Sequence, residues 1–208
     1  MKPRHFPAIF HPVLSRRSAQ TVILDTFGDS NGVGITSHAA DVCPPGSAWM
    51  GNYYTIQANK AQSNNATEPS LIDSLVADCT LSVEITLSDR LSNAAGAEYL
   101  LFRATDNLNR WGFGYGYNSG VIQICIYERT SGVSTVRAAA SISYSPGTSH
   151  TLKAVLLGSQ MSCTLDNITT LEYSSSVRQA VTTHGLRSYW TPTPTTTTIF
   201  DNFKVTTT

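Results

Sequence analysis

Cys79-Thr-Leu81-Ser-Val83-Glu-Ile85-Thr-Leu87 is the stretch that decides the fold. Cys79, Leu81, Val83, Ile85 and Leu87 fall on one phase, and Thr80, Ser82, Glu84 and Thr86 on the other. Successive side chains of an extended chain point to opposite faces, so this run reads as a strand with one face buried and one in water. A helix would need apolar residues at i, i+3, i+4 and i+7, and nowhere does that spacing persist over a dozen positions.

Similar short runs flank it. Upstream lie 21–27 and 53–57; downstream lie 98–104, 111–117, 121–128, 135–143, 151–157, 160–165 and 198–206. Turn residues separate them, among them Gly28-Asp-Ser-Asn-Gly32, Asp106-Asn107, Asn118-Ser-Gly120, Ser131-Gly132, Pro146-Gly147, Gly158-Ser159 and Asp166-Asn167. Many short alternating strands with such punctuation predict an all-β protein, an antiparallel two-sheet β-sandwich over residues 21–208. At this length a jelly roll is its natural form. Leu81, Val83, Ile85, Phe102, Phe113, Leu152, Leu156 and Phe203 lie on the apolar phase of their strands and are expected in the core.

Composition excludes several classes. The chain has 208 residues with Lys+Arg 14 and Asp+Glu 14, a formal net charge of zero. Charged residues make up 13%, against about 25% in ordinary soluble domains. That rules out a disordered polyelectrolyte and argues against a nucleic-acid partner bound through global charge. No apolar run approaches the ~18 residues of a membrane span, so no membrane partner is expected. The four cysteines, Cys43, Cys79, Cys125 and Cys163, have no metal-type or redox spacing. Cys79 and Cys163 alternate with apolar residues and read as buried small hydrophobes, which favours free thiols over a disulfide.

Residues 1–20 stand apart. Pro3, Pro7 and Pro12 forbid a regular helix, and Pro7, His11 and Pro12 interrupt the apolar centre that a signal peptide needs. They read as an extended N-terminal arm carrying Phe6, Ile9, Phe10, Val13 and Leu14, with Arg16 and Arg17 at its end. An apolar arm of this kind is expected to dock on a partner, with these seven residues as the contacts.

Four groups of residues, in order along 21–206, carry a family resemblance. Asp25-Thr-Phe27 with Gly32, His38, Trp49 and Tyr54-Thr-Ile56-Gln-Ala-Asn59 resembles the first hairpin of concanavalin A-like (laminin-G-like) jelly rolls. Leu100-Leu-Phe-Arg-Ala-Thr-Asp106-Asn107 with Trp111-Gly-Phe113 is similar to their central strands, as is Leu152-Lys153 with Gly158 and Leu165-Asp-Asn167. Gly185-Leu-Arg187 followed by Phe200-Asp-Asn-Phe-Lys-Val205 resembles the closing strand, which in that family lies beside the first. The resemblance implies a fold and not a function, because lectins, glycosidases, adhesion modules and virion proteins share it.

The chemistry carried by motifs is sparse. Glycosidases of this fold carry Glu-x-Asp-x-x-Glu on one strand, and none of the fourteen acids makes that spacing. There is no Gly-x-Ser-x-Gly elbow, and His5, His11, His38, His150 and His184 stand without a partner motif. His38 reads as a structural histidine, and Asp25 and Asp29 as turn formers. No catalytic residue is assigned and no enzyme is expected. Many relatives by resemblance hold calcium at a loop edge, which would place Asp25 near Asp201; the alternative is that each Asp caps a turn, with no cofactor. Asn65-Ala-Thr67 and Asn167-Ile-Thr169 match the glycosylation sequon, a frequent accident in a Thr-rich chain.

Trp111-Gly-Phe113-Gly-Tyr115-Gly-Tyr117 puts four aromatics on one face and three glycines on the other. Either the rings fill the core and the glycine face admits a close approach, or they form a platform for a sugar or a partner. Trp111 and Phe113 read as core; Tyr115, Tyr117 and Trp190 are the candidate ligand contacts.

The reading that follows is a non-enzymatic module of a virion surface, a capsid decoration or tail protein. It would assemble with protein partners or its own copies through the arm, and bind glycans. The alternative is a lectin-like carbohydrate-binding domain of a secreted or cell-surface protein, with a glycoside hydrolase last. Either leading reading places the protein on a virion or extracellular surface.

Overall fold

The computed structural model describes residues 18–63, 68–88, 98–118, 121–188 and 197–208; of Glu98, Tyr117 and Asn118 only the backbone is described. The arm residues Phe6, Ile9, Phe10, Val13, Leu14, Arg16 and Arg17, and Trp190, lie outside that set.

The chain forms β1 (Thr21–Asp25), β2 (Tyr54–Ile56), β3 (Ala61–Ser63), β4 (Ser70–Asp73), β5 (Cys79–Thr86), β6 (Glu98–Phe102) and β7 (Arg110–Asn118). There follow β8 (Val121–Thr130), β9 (Val133–Ser141), β10 (Ser149–Leu157), β11 (Gln160–Leu165), β12 (Thr169–Ser174), β13 (Thr183–Ser188) and β14 (Ile199–Thr207). The helical structure among the described residues is a single 3₁₀ turn over Ile35–Ser37, and no helix is long and apolar enough to cross a membrane.

The strands make two antiparallel sheets. The larger runs β12-β11-β10-β5-β14-β3-β2, with β1 also on β14; the smaller runs β4-β13-β6-β7-β8-β9. β14 is the hub of the larger sheet. It pairs with β5 along one side, and along the other with β3 at its start and β1 at its end. The register shift between Asp201 and Lys204, with Asn202 at φ 52°, is the bulge where the changeover occurs.

Alternation builds the core. Leu81, Val83 and Ile85 of β5, Leu152 and Leu156 of β10, and Phe203 of β14 meet Leu100 and Phe102 of β6, Trp111 and Phe113 of β7, and Ile124 and Ile126 of β8. All eight residues expected in the core are buried there. All four cysteines are free thiols.

Four strands escape the sequence pattern: β3, β4, β12 and β13. Ser70, Leu71 and Ile72 are buried in succession, as are residues 184–188 of β13, because both faces of the smaller sheet are covered at those positions. Strands covered on both faces lose the alternation that would announce them. β12 fails for the opposite reason: of its six residues only Leu171 is buried.

Candidate functional site

The aromatic strand resolves into two faces with different work. Trp111, Phe113 and Tyr115 point into the core and are wholly buried. Tyr115 is therefore not part of an exposed platform, because its phase on β7 is the inner one. The glycine face is not bare. A Cβ at Gly112 would stand 2.5 Å from Cε1 of Tyr127, and one at Gly116 would stand 2.9 Å from the hydroxyl of Tyr99. Those two rings, from the flanking strands β8 and β6, stack 4.3 Å apart at 28°. The close approach that the glycines permit is made by the protein's own tyrosines. With Leu71, Leu101, Ala104 and Cys125 they form a second buried cluster on the outer face of the smaller sheet.

Tyr115 leads to a different site. Its ring lies 5.8 Å from that of Tyr144 and 5.6 Å from that of His150. Tyr115 closes the inner end of a cleft of about 400 Å³ at the flank of the sandwich, where β9 of one sheet approaches the β11–β12 hairpin of the other. Ser141, Ile142 and Ser143 line one wall; His150, Leu165, Asp166, Ile168 and Thr169 line the other. Its volume falls within the roughly 300–1,000 Å³ of small-ligand sites.

The polar groups of the cleft are oriented. His150 Nδ1 stands 2.6 Å from Oδ2 of Asp166, and His150 Nε2 stands 2.9 Å from Oγ1 of Thr148. The other carboxylate oxygen of Asp166 accepts the N–H of Thr151 at 2.7 Å. Asp166 and Asn167 occupy the left-handed region, at φ 50° and 56°, where Asp and Asn are better tolerated than most residues. The Thr148 hydroxyl donates to the carbonyl of Ser145 at 2.5 Å. The result is an imidazole and a carboxylate, both part-exposed, beside hydroxyls and an apolar wall ending in Ile168, which is 84% exposed.

Sequence reading left His150 without a partner. The signal was there: counting back from the Gly158-Ser159 turn along the β10–β11 hairpin, where Leu152 faces Leu165, brings Thr151 level with Asp166.

Asp25 and Asp201 have separate partners. Asp25 is wholly buried; it accepts the N–H of Phe27 at 2.7 Å and the indole N–H of Trp49 at 2.6 Å, and lies 2.8 Å from His38 Nε2. Asp201 pairs with Lys60 at 2.8 Å and accepts the N–H of Asn202. Both Asp25 oxygens are bonded inside the core, and the Lys60 ammonium already stands on Asp201, where a calcium ion would have to displace it. Among the described residues no three His, Cys, Asp or Glu side chains gather as metal ligands.

His38 is the structural histidine expected of it. Its Nδ1 lies 3.4 Å from Asp29, whose other oxygen accepts the N–H of Ser30. Burial disfavours the His38 cation, but the hydrogen bond and charge of Asp25, with Asp29 behind them, outweigh it and the imidazole pKa rises. Burial likewise pushes the Asp25 carboxyl up, against the pull of His38, Trp49 and the Phe27 amide.

A second hollow, of about 270 Å³, lies among Pro45, Ser47, Met50, Asp73 and Leu75. Its one ionisable group, Asp73, already accepts from Thr182 at 2.6 Å and from the N–H of Leu75 at 2.9 Å.

No family model and no curated protein matches the chain. Solved structures do. The carbohydrate-binding module CBM66 from Bacillus subtilis superposes with a TM-score of 0.52 at 18% identity, over 78% of this chain and 92% of that one. The CBM2 module of the evolved Dit protein of Lactobacillus casei phage J-1 gives 0.56 at 8% identity, over 90% and 95%. The fold is a concanavalin A-like jelly roll. A glycoside hydrolase of family GH43 from Bacillus licheniformis gives 0.62 at 11% identity over 89% of this chain, but this jelly roll spans only 39% of that enzyme. Identities this low carry the fold alone.

Proposed function

We propose that this jelly roll is a carbohydrate-binding module that holds a saccharide in the flank cleft and does not turn it over. The observation that carries the reading is the composition of the cleft. Ile142, Leu165 and Ile168 offer apolar surface to the C–H face of a sugar ring, while Asp166, His150, Ser141, Ser143 and Thr169 offer donors and acceptors to its hydroxyls. Asp166 is the one carboxylate among the lining residues. Glycoside hydrolysis by paired carboxylates needs a second at roughly 5–10 Å.

A glycan array probed with the full chain, followed by calorimetry on the best ligand, tests the reading. His150→Ala and Asp166→Asn should each weaken binding by about tenfold or more, the loss of a hydrogen bond to a charged group. Unchanged affinity in both variants would remove the cleft from the reading. Release of reducing sugar from the bound glycan would overturn the non-catalytic part.

A second reading places the module on a virion. It is supported by the likeness to the phage Dit module, of which this chain covers 95%. In that reading residues 1–20 dock on the assembly through Phe6, Ile9, Phe10, Val13, Leu14, Arg16 and Arg17. Deleting residues 1–18 should abolish co-assembly while leaving the melting temperature nearly unchanged; a domain that unfolds on deletion, or still assembles, would sink it.

A further inference from the structure

β7 and β8 place Arg110 directly opposite Arg129. Arg110 shares its phase with Gly112, and Arg129 shares its phase with Tyr127, so both project from the outer face of the smaller sheet. Like charges directly opposite one another oppose strand pairing. Arg187, on the same face of β13, adds a third positive charge, since it pairs with Tyr99 across β6. Burial lowers the pKa of Arg110, and the charges of Arg187 and Arg129 act in the same direction.

Arg110 is wholly buried. Its Nη1 donates to the backbone and side-chain oxygens of Asn107 and its Nε to the Tyr127 hydroxyl at 3.2 Å. Its Nη2 is buried without a hydrogen-bond partner, and so is Nε of Arg129. The neighbouring acids are spent elsewhere. Glu128 points to the opposite face, where it pairs with Arg137 at 2.7 Å and Arg178 at 3.1 Å. Asp106 accepts from the N–H of Leu108 and the amide of Asn109. Among the described residues neither Arg110 nor Arg129 has an ion pair.

Arg110 and Arg129 stand at facing register positions, and each keeps a buried donor that an acceptor from outside the chain would satisfy. The planar fork of arginine matches the oxygens of a carboxylate or a sulfate. We propose that Arg110 and Arg129 form an oxyanion subsite that takes the carboxylate or sulfate ester of an acidic polysaccharide, entered from the side of the half-buried Arg129. The polysaccharide rests on the glycan-binding reading; the oxyanion does not.

Thermal unfolding of the full chain in sodium sulfate, against sodium chloride at equal ionic strength, tests the oxyanion. Sulfate should raise Tm further than chloride, and Arg129→Gln and Arg110→Met should each shrink the difference to the general stabilisation that sulfate gives any folded protein. If Arg110→Met does not fold, the half-buried Arg129→Gln decides alone. Equal Tm in the two salts, or a sulfate increment that Arg129→Gln leaves undiminished, overturns the subsite.

Calorimetry with dextran sulfate, polygalacturonate and neutral dextran tests the polysaccharide. At least one charged polymer should bind about tenfold or more tighter than neutral dextran, as expected for charge-assisted hydrogen bonds, and Arg129→Gln should erase the difference. Preference for dextran sulfate assigns the sulfate ester, and preference for polygalacturonate the carboxylate. Equal binding of all three, with the sulfate increment intact, means an adventitious ion only and overturns the polysaccharide. It would leave the flank cleft standing, because that site is tested by His150→Ala.

Discussion

The indole of Trp49 donates to Oδ2 of Asp25 at 2.6 Å, inside the core. That bond ties the end of β1 to the loop before β2 and lets the Trp49 ring pack 5.2 Å from Phe203 of β14. Removing the donor leaves a buried carboxylate short of one partner, at a cost of about 1–3 kcal/mol. We expect Trp49→Phe to lower the urea midpoint accordingly, with the m-value unchanged. A shift smaller than about 0.5 kcal/mol would mean that the bond contributes little.

Stability should pass through a maximum near neutral pH, set by two histidines. Burial drives the pKa of His184 down to about 4; the groups facing it are the Val76 carbonyl, Cys79, Arg103 and Asp73. The unfolded chain takes up this proton near pH 6.5 and the folded chain does not, so stability falls as pH drops between those values, by on the order of 3 kcal/mol. His38 runs the other way. Its folded pKa is raised, so its contribution is fully present below about pH 6.5 and is lost as pH rises through the folded value. Urea melts from pH 4 to 8 should show both limbs, with His184→Asn flattening the acid one and His38→Gln the alkaline one. A slope unaltered by His184→Asn would contradict its assignment.

Glycine substitutions should rank by what the added methyl meets. At Gly185 it would collide with the backbone carbonyl of Ser70 on β4, which cannot turn aside. At Gly112 it meets the Tyr127 ring, which can shift at the expense of its stack on Tyr99. Overpacking costs typically about 1–3 kcal/mol and occasionally more. We expect Gly185→Ala at the top of that range or beyond, and Gly112→Ala below it. The reverse order in chemical denaturation would show that the β4–β13 pair yields more easily than the tyrosine pair.

Thiol reactivity should be confined to Cys43, which is part-exposed. Burial pushes the thiols of Cys79 and Cys125 up to about 12 and about 11, and raises that of Cys163 as well. Thiolate is the reactive form. Titration of the native protein with a thiol reagent should release one equivalent quickly, and all four only after unfolding. Fast release of two or more would mean that the core opens locally.

Ile168 separates binding from folding. It is 84% exposed and lines the cleft. Ile168→Asp should leave Tm within about 1 °C, since exposed substitutions seldom exceed 0.5 kcal/mol, while weakening glycan binding severalfold. Intact binding would mean that this rim does not touch the sugar.

The strands that alternate were legible without coordinates, because period two with one buried face is a local property. Residues 160–165 were bounded correctly, and the long strands β5, β7, β8 and β14 were placed within two residues. β4 and β13 were not visible, because burial on both faces erases the pattern. For Tyr115 phase says which side chains share a face and not which face looks inward; the structure sets it at the inner end of the flank cleft instead of on an open platform. His150 was passed over because its partner, Asp166, lies sixteen residues away and arrives through hairpin register.

The sequence by itself determined the all-β class, the core phase of its long strands, the free character expected of the thiols and the structural role of His38. Each rests on local alternation, composition or turn chemistry. Only the tertiary structure decided that Tyr99 and Tyr127 cover the glycine strip, that two sheet edges open a cleft at His150 and Asp166, and that Arg110 stands opposite Arg129 with no ion pair to either among the described residues. Those relationships depend on which strands become neighbours and in what register, and cross-strand pairing is a long-range choice that no single strand encodes.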